Sequence, residues 1–345
     1  MYYSACPRYP FSMRSRALVV SSLALTLPFF AAFGDSLPVN QIVAFGDSLT
    51  DTGNASIATL GAEPGTGYAY RTIAGLPFQV GEFTNPSAPG GPSGLWIDQF
   101  ASKAGLPDPQ PFLAPGGGTN YAVGGAVTGS SGIDNLSNEL GIYLAGKSSV
   151  PSTGLYSFWA GANDIIAGDN PVTAADNLAA NIATLAGEGG KYFLWFNLPL
   201  LGNTPSGQAS GDATALNAAS TAFDAEWAKD IQTFDQTHPG IVLVGVDIEA
   251  LFNNILNTPG HDGLNTGAEP MGADLNGYLF SWDGLHPTSD ADSLIAATAF
   301  TDFEAAIQPS TSGTVPEPAS AAFALLGSGA LLVAIRVRRP VRPTR

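Results

Sequence analysis

The sequence predicts an α/β fold, a three-layer α/β/α sandwich with helices on both sides of a mostly parallel sheet, and two observations carry that prediction. Short apolar runs without polar alternation recur along the middle of the chain, which is the pattern of strands buried on both faces. Amphipathic stretches separate them, and strands alternating with helices build a parallel sheet covered on both sides. The runs are Gln41-Ile42-Val43-Ala44-Phe45, Leu155-Tyr156-Ser157-Phe158-Trp159, Tyr192-Phe193-Leu194-Trp195-Phe196 and Ile241-Val242-Leu243-Val244-Gly245-Val246. Helices are expected over residues 176–185 and 212–234. In the second, Leu216, Ala219, Phe223, Trp227, Ile231 and Phe234 recur at three- and four-residue intervals and form one apolar stripe. A last helix, opened by Thr288 or Ser289 as N-cap with Asp290 and Asp292 in its first turn, runs to about Ile307. Residues 61–120 are rich in Gly and Pro, and an excursion of this kind is expected over the carboxyl ends of the strands, where ligands bind. No composition shift interrupts residues 40–308, so they are read as one domain.

The 345 residues carry 13 Lys+Arg against 29 Asp+Glu, a formal charge of −16, and 45 % of them are hydrophobic. That is too apolar for a disordered chain. A net negative charge removes the counterion-release term that drives nucleic-acid binding, so no nucleic-acid partner is expected. Cys6 is the one cysteine, which leaves no internal disulfide framework and no Cys-rich zinc site. Arg8, Arg14 and Arg16 precede an uncharged stretch, residues 17–32, that ends in small residues. This is the order of a secretory signal peptide, expected over residues 1–34; a retained anchor is the alternative, although the stretch is short for a span. At the other end a Pro/Ser/Thr spacer (309–314) leads to Val315-Pro316-Glu317-Pro318, an uncharged run to Ile335, and then Arg336, Arg338, Arg339, Arg342 and Arg345. Physically this is a marginal membrane span followed by positive charge that stays on the cytoplasmic side.

Chemistry is concentrated in four segments. Phe45-Gly46-Asp47-Ser48-Leu49-Thr50-Asp51-Thr52-Gly53-Asn54 puts a serine at the carboxyl end of the first strand, with a glycine two residues earlier that lets the backbone turn sharply. A serine hydroxyl needs a base, and the base an orienter. Asp283-Gly284-Leu285-His286-Pro287-Thr288 supplies both at i and i+3, on one side of a turn into a helix. Asn120-Tyr121-Ala122-Val123-Gly124-Gly125-Ala126 offers an unobstructed backbone N–H at Gly124, and Gly161-Ala162-Asn163-Asp164 a side-chain amide at Asn163, both suited to an oxyanion.

Together, and in this order, the four segments resemble the SGNH/GDSL hydrolase family, in the form seen in secreted lipases, acyltransferases and haemolysin-like phospholipases; Asn197-Leu198-Pro199-Leu200-Leu201-Gly202-Asn203-Thr204-Pro205 is similar to a further segment of that branch. The resemblance implies a flavodoxin-like sheet of about five strands, with Ser48 as nucleophile, His286 as general base and then acid, and Asp283 as orienter. It also implies an oxyanion hole built from the Ser48 N–H, the Gly124 N–H and the Asn163 amide, and no cofactor or metal. Absence of any Gly-x-Ser-x-Gly sets the chain apart from the α/β-hydrolase nucleophile elbow. Residues 315–345 resemble the PEP-CTERM sorting signal, which implies export machinery and a C-terminal processing protease as partners and a cell-surface or secreted location, with transient anchoring through the apolar segment.

Three readings of the function stay open: a serine esterase or lipase, an acyltransferase using the same site, and a non-catalytic surface or polysaccharide-binding protein. Lipid esters, short acyl esters and acetylated polysaccharides all need the same groups. Residues 35–314 hold five basic side chains against 28 acidic ones, a net charge of −23, which favours neutral esters or polysaccharide over anionic phospholipid. Phe33-Gly34-Asp35-Ser36-Leu37 repeats the start of the serine motif, but Pro38 follows it and no strand precedes it, so Ser48 is preferred over Ser36. His238 suits a helix C-terminus and His261 a loop, neither at a metal-ligand spacing. Trp159, Trp195 and Trp227 read as core, Trp282 as core or acyl-pocket wall, and Asp47 and Asp164 as acceptors for loop N–H groups.

Overall fold

A computed structural model describes residues 37–87, 89–130, 134–258, 261–271 and 277–308. The expected signal peptide with Cys6, Ser36, the spacer, and the C-terminal segment with its apolar run lie outside the described residues. In chain order, β1 (Gln41–Gly46) is followed by α1 (Asn54–Ala58), β2 (Ala69–Arg71), β3 (Val80–Glu82), α2 (Trp96–Ala104), α3 (Leu136–Leu144), β4 (Gly154–Trp159), α4 (Ala162–Ala167) and α5 (Pro171–Gly187). Then come β5 (Tyr192–Phe196), α6 (Pro205–Ser210), α7 (Ala213–Thr237), β6 (Val242–Val246), α8 (Ile248–Asn257), β7 (Asn265–Ala268), β8 (Tyr278–Phe280) and α9 (Ser289–Ile307).

The central sheet is parallel with strand order β1-β4-β5-β6, in registers such as Ile42 beside Leu155 and Phe193 beside Leu243. All six residues of β4 are buried, as continuous apolar strands in a doubly covered sheet require. The sheet has four strands where about five were expected. Beyond β1, in the fifth place, residues 119–123 make ladder bonds: the Ala44 N–H to Thr119 O (3.0 Å), the Tyr121 N–H to Ala44 O (2.8 Å) and the Val123 N–H to Gly46 O (3.0 Å). They form only an isolated bridge, because the Gly46 N–H that would extend the ladder to Tyr121 O is taken by Glu139 Oε2 (2.9 Å), while the Asn120 N–H and C=O face outward to Gln110 O and the Phe112 N–H. Counting that segment, the order becomes the 2-1-3-4-5 of flavodoxin-like sheets.

Helices cover both faces. α2 packs on α9 and α9 on β6, while α3, α5 and α7 form the other layer. Local chemistry opens them: Asn170 Oδ1 accepts the Val172 and Thr173 N–H groups with Pro171 in the first turn of α5, and Thr288 Oγ1 accepts the Ala291 N–H at the start of α9. The stripe on α7 faces inward, with Phe223 and Phe234 buried and Leu216, Ala219, Trp227 and Ile231 packed against the core. Aromatic rings fill the sheet's surroundings: Phe45 stacks on Phe158 at 5.0 Å, and Trp96 and Trp159 lie 4.4 and 5.0 Å from Phe196. Truncating one such ring to Ala costs about 3–5 kcal/mol.

One glycine sets where the first loop begins. Gly46 has φ +155, and a Cβ there would sit 2.2 Å from Trp159 O. With no side chain, β1 closes on the end of β4 and the Asp47 N–H bonds to Trp159 O (3.2 Å), so Ser48 emerges over the carboxyl edge of the sheet.

Candidate active site

Ser48 follows β1, Asn163 lies in the first turn of α4 just beyond β4, and His286 precedes α9. The structure brings them together. His286 Nε2 lies 2.7 Å from Ser48 Oγ, and His286 Nδ1 lies 2.5 Å from Asp283 Oδ2. Asp283 Oδ1 accepts the Leu285 and His286 N–H groups (2.8 and 3.0 Å), which folds Asp283 and His286 onto the same side of the turn. Burial alone would raise the Asp283 pKa, but its hydrogen bond to His286, the imidazole charge and the Tyr68 hydroxyl outweigh this and lower it to about 2. An ionised carboxylate on Nδ1 keeps the proton there and leaves Nε2 as an acceptor toward the serine.

Of the three groups expected as oxyanion donors, Ser48 and Asn163 each keep an N–H that is not bonded within the described residues. The Ser48 N–H has no internal partner among the described residues. Asn163 donates one amide N–H to Ala126 O (3.0 Å), which orients the group and leaves the second N–H for the cleft it shares with Ser48 and His286. Gly124 differs from expectation. Its N–H donates to Asp51 Oδ2 at 2.8 Å, and a Cβ there would press on the Phe83 ring at 2.6 Å. The next residue, Gly125, is exposed, and its N–H has no partner among the described residues. Asp51 claims the Gly124 donor because it gathers the loop: it also accepts from the Gly53, Asn54 and Ala55 N–H groups.

The cleft around Ser48 is walled by Leu49, Trp159, Ile166, Leu201, Phe252 and Leu285. Trp282 does not line it but packs on Tyr68 at 5.4 Å. Asp47 Oδ1 accepts the Leu49 N–H (3.0 Å), and Asp164 accepts from the Thr128 N–H and Oγ1, so both hold loops. Burial pushes Asp47 up to about 7, against the Leu49 N–H and the nearby imidazole. His238 caps α7 and stacks on Phe234 at 4.1 Å. Among the described residues, those able to approach a metal ion are Asp176, Glu226 and Asp230, whose ligand oxygens lie within 4.8 Å of one another, remote from the serine in sequence and already paired with Lys229 at Glu226.

Several residues of this site escaped the sequence reading. Asn54 donates to Asn120 O and Ala122 O and tethers the serine loop to residues 120–122, and Glu139 accepts the Gly46 N–H at 2.9 Å. Asp51 and Asn54 lie inside the serine motif itself, so that motif was the signal. Tyr68 and Glu139 carry no local signature.

Residues 42–299 match the model of the GDSL-like Lipase/Acylhydrolase family, and residues 314–339 that of the PEP-CTERM protein-sorting motif. A Pseudomonas putida protein described as an uncharacterized protein in the trpE-trpG intergenic region is 27 % identical over 332 residues, 84 % of this chain and 52 % of that protein. The phosphatidylcholine-sterol acyltransferase of Aeromonas hydrophila is 33 % identical over 184 residues, 51 % of this chain and 49 % of its own. The chain thus spans about half the length of the curated relatives it matches. Among solved structures, a lipolytic protein of the G-D-S-L family from Veillonella parvula is similar at 15 % identity and a TM-score of 0.43, covering 77 % of this chain and 99 % of that one.

Proposed function

The chain belongs to the GDSL-like lipase/acylhydrolase family, and from that premise we propose that it is an ester hydrolase, an exported serine esterase that works through an acyl-Ser48 intermediate. The observation that carries this reading is the continuous chain of contacts from Ser48 Oγ through His286 to Asp283. Ser48 Oγ attacks the ester carbonyl carbon while its proton passes to His286 Nε2; Asp283 stabilises the imidazolium, and the same proton then goes to the leaving alkoxide. Water, deprotonated by the neutral imidazole, releases the acid in the second half. The oxyanion accepts hydrogen bonds from the Ser48 N–H and the Asn163 amide, with the unbonded Gly125 N–H in the place expected of Gly124. An apolar wall of Ile166, Leu201, Phe252 and Leu285 suits an aliphatic acyl group, and the acidic domain suits a neutral ester.

The PEP-CTERM motif supports sorting to the cell surface; the proposal adds a signal peptide at residues 1–34, a hydrolase domain at 40–308 and a processing protease acting on 315–345. Among the described residues no helix is long and apolar enough to cross a membrane. Acyl transfer to an alcohol is a second reading, favoured by the likeness to the Aeromonas acyltransferase; products formed with and without an acceptor alcohol separate the two. The central experiment labels the folded chain with an organophosphorus serine-hydrolase probe. Wild type should label and hydrolyse esters and Ser48→Ala should do neither; an active Ser48→Ala sinks the assignment, and unlabelled folded wild type favours a binding protein.

A further inference from the structure

The Gly- and Pro-rich excursion at residues 61–120 delivers a phenol to the Asp283 carboxylate. The Tyr68 hydroxyl donates to Asp283 Oδ2 at 2.5 Å. Asp283 thereby has all of its acceptor positions filled: Leu285 and His286 N–H on Oδ1, and His286 Nδ1 and Tyr68 on Oδ2. A carboxylate held at four points cannot turn about its own axis without losing a bond, and its orientation sets that of the imidazole.

Tyr68 is itself held. Its ring lies 5.4 Å from Trp282, 5.8 Å from Phe83 and 6.0 Å from His286, and Phe83 lies 5.2 Å from the imidazole. Gly67, at φ +99, allows the approach, since a Cβ there would lie 2.6 Å from Trp282 Nε1. The Ala69 N–H bonds to Thr84 O, and Thr84 Oγ1 in turn lies 3.1 Å from Pro287 O and 3.0 Å from Asp292 Oδ2, while Asn85 Oδ1 accepts the Ser289 N–H. The hairpin β2–β3 is thus fastened to the far side of the histidine turn, and Arg71 ties it through Asp98 to α2.

We propose that Tyr68 is a positioning residue of the ester hydrolysis: its hydroxyl locks Asp283 and, through it, the His286 imidazole over Ser48. This rests on the reading of Ser48, His286 and Asp283 as nucleophile, base and orienter. The bond has two effects of opposite kind. It fixes geometry, and it withdraws charge from Asp283, so its removal leaves a carboxylate that holds the imidazolium more strongly. The titratable groups facing the imidazole are Asp283 on its own turn, Asp47 on the Ser48 loop and Tyr68 on the hairpin, with Glu63 facing Tyr68.

The test is Tyr68→Phe in the full chain, beside Ser48→Ala, with kcat and KM for a neutral ester measured across pH 4.5–9. Tyr68→Phe keeps the ring contacts. It should lower kcat by roughly tenfold with KM little changed, and move the acid limb of kcat/KM to higher pH. A 3-fluorotyrosine at position 68, a stronger donor of the same shape, should move that limb to lower pH. A merely structural tyrosine would change the melting temperature and leave both limbs in place, and that result overturns the proposal. If Ser48→Ala is inactive and both Tyr68 variants match the parent, only the role of Tyr68 falls; if Ser48→Ala stays active, the serine-esterase reading falls and takes this one with it.

Discussion

Two groups of carboxylates lie within the reach of Ser48, and they are held in opposite ways. On the histidine turn, Asp283 faces an imidazole and a phenol and is lowered to about 2. Beneath the serine loop, Asp47, Asp51, Glu139 and Asp164 are all raised, first by burial. Among the described residues none of these four forms a salt bridge; their partners are backbone N–H groups and the Thr128 hydroxyl. Dipoles can organise a loop around a carboxylate, but they offset less of the cost of burying its charge than a cationic partner does. In the proposed mechanism one group holds charge through a proton transfer, and the other shapes the floor beneath it.

Breaking the charged member should have the largest effect. Asp283→Asn puts an amide against Nδ1, favours the wrong imidazole tautomer and should lower kcat by about 10⁴ with the fold retained; a loss below tenfold would remove Asp283 from the orienting role. Next, Asn163→Ala removes one oxyanion donor and should reduce turnover by about a hundredfold or more with an unchanged circular dichroism spectrum, whereas near-parental turnover would place Asn163 outside the hole. Asp51→Ala acts on the other side of the contrast. It strands four N–H groups, so denaturant titration should show a loss of about 2–4 kcal/mol, and no loss would mean water replaces the carboxylate without cost.

The smallest effect is the pH dependence of stability. Asp47, raised in the folded state from 3.8 to about 7, contributes stability that is full below pH 4 and is lost as pH rises through 7. Asp283, lowered to about 2, contributes stability that is present above pH 4 and is lost as pH falls through 2. Urea midpoints measured from pH 2 to 8.5 should therefore peak near pH 4, falling toward pH 2 on one side and down to about pH 7 on the other; a midpoint rising between pH 5 and 7 would contradict the state assigned to Asp47.

The legible parts of the molecule were those encoded by neighbours in the chain. The apolar runs at 41–45, 155–159, 192–196 and 241–246 match observed strands to within a residue, since a strand buried on both faces needs little beyond its own hydrophobicity. The α9 cap at Thr288 and the pairing of Asp283 with His286 are local in the same sense, involving residues three apart. The bond made by Gly124 belongs to the opposite situation. Its N–H is claimed by Asp51, 73 positions away, and no local pattern records that claim.

By itself, then, the sequence determined the α/β alternation, the parallel sheet and the identity of Ser48, Asn163, Asp283 and His286 as the residues to examine. It did so because periodicity, caps and short motifs are properties of contiguous chain. Tertiary structure alone decided that residues 119–123 stand in for a fifth strand, that Gly124 serves the loop floor, and that Tyr68 reaches Asp283 across 215 positions. Those are contacts between segments brought together only by folding, and their hydrogen bonds depend on which donors and acceptors the packed core leaves unpaired.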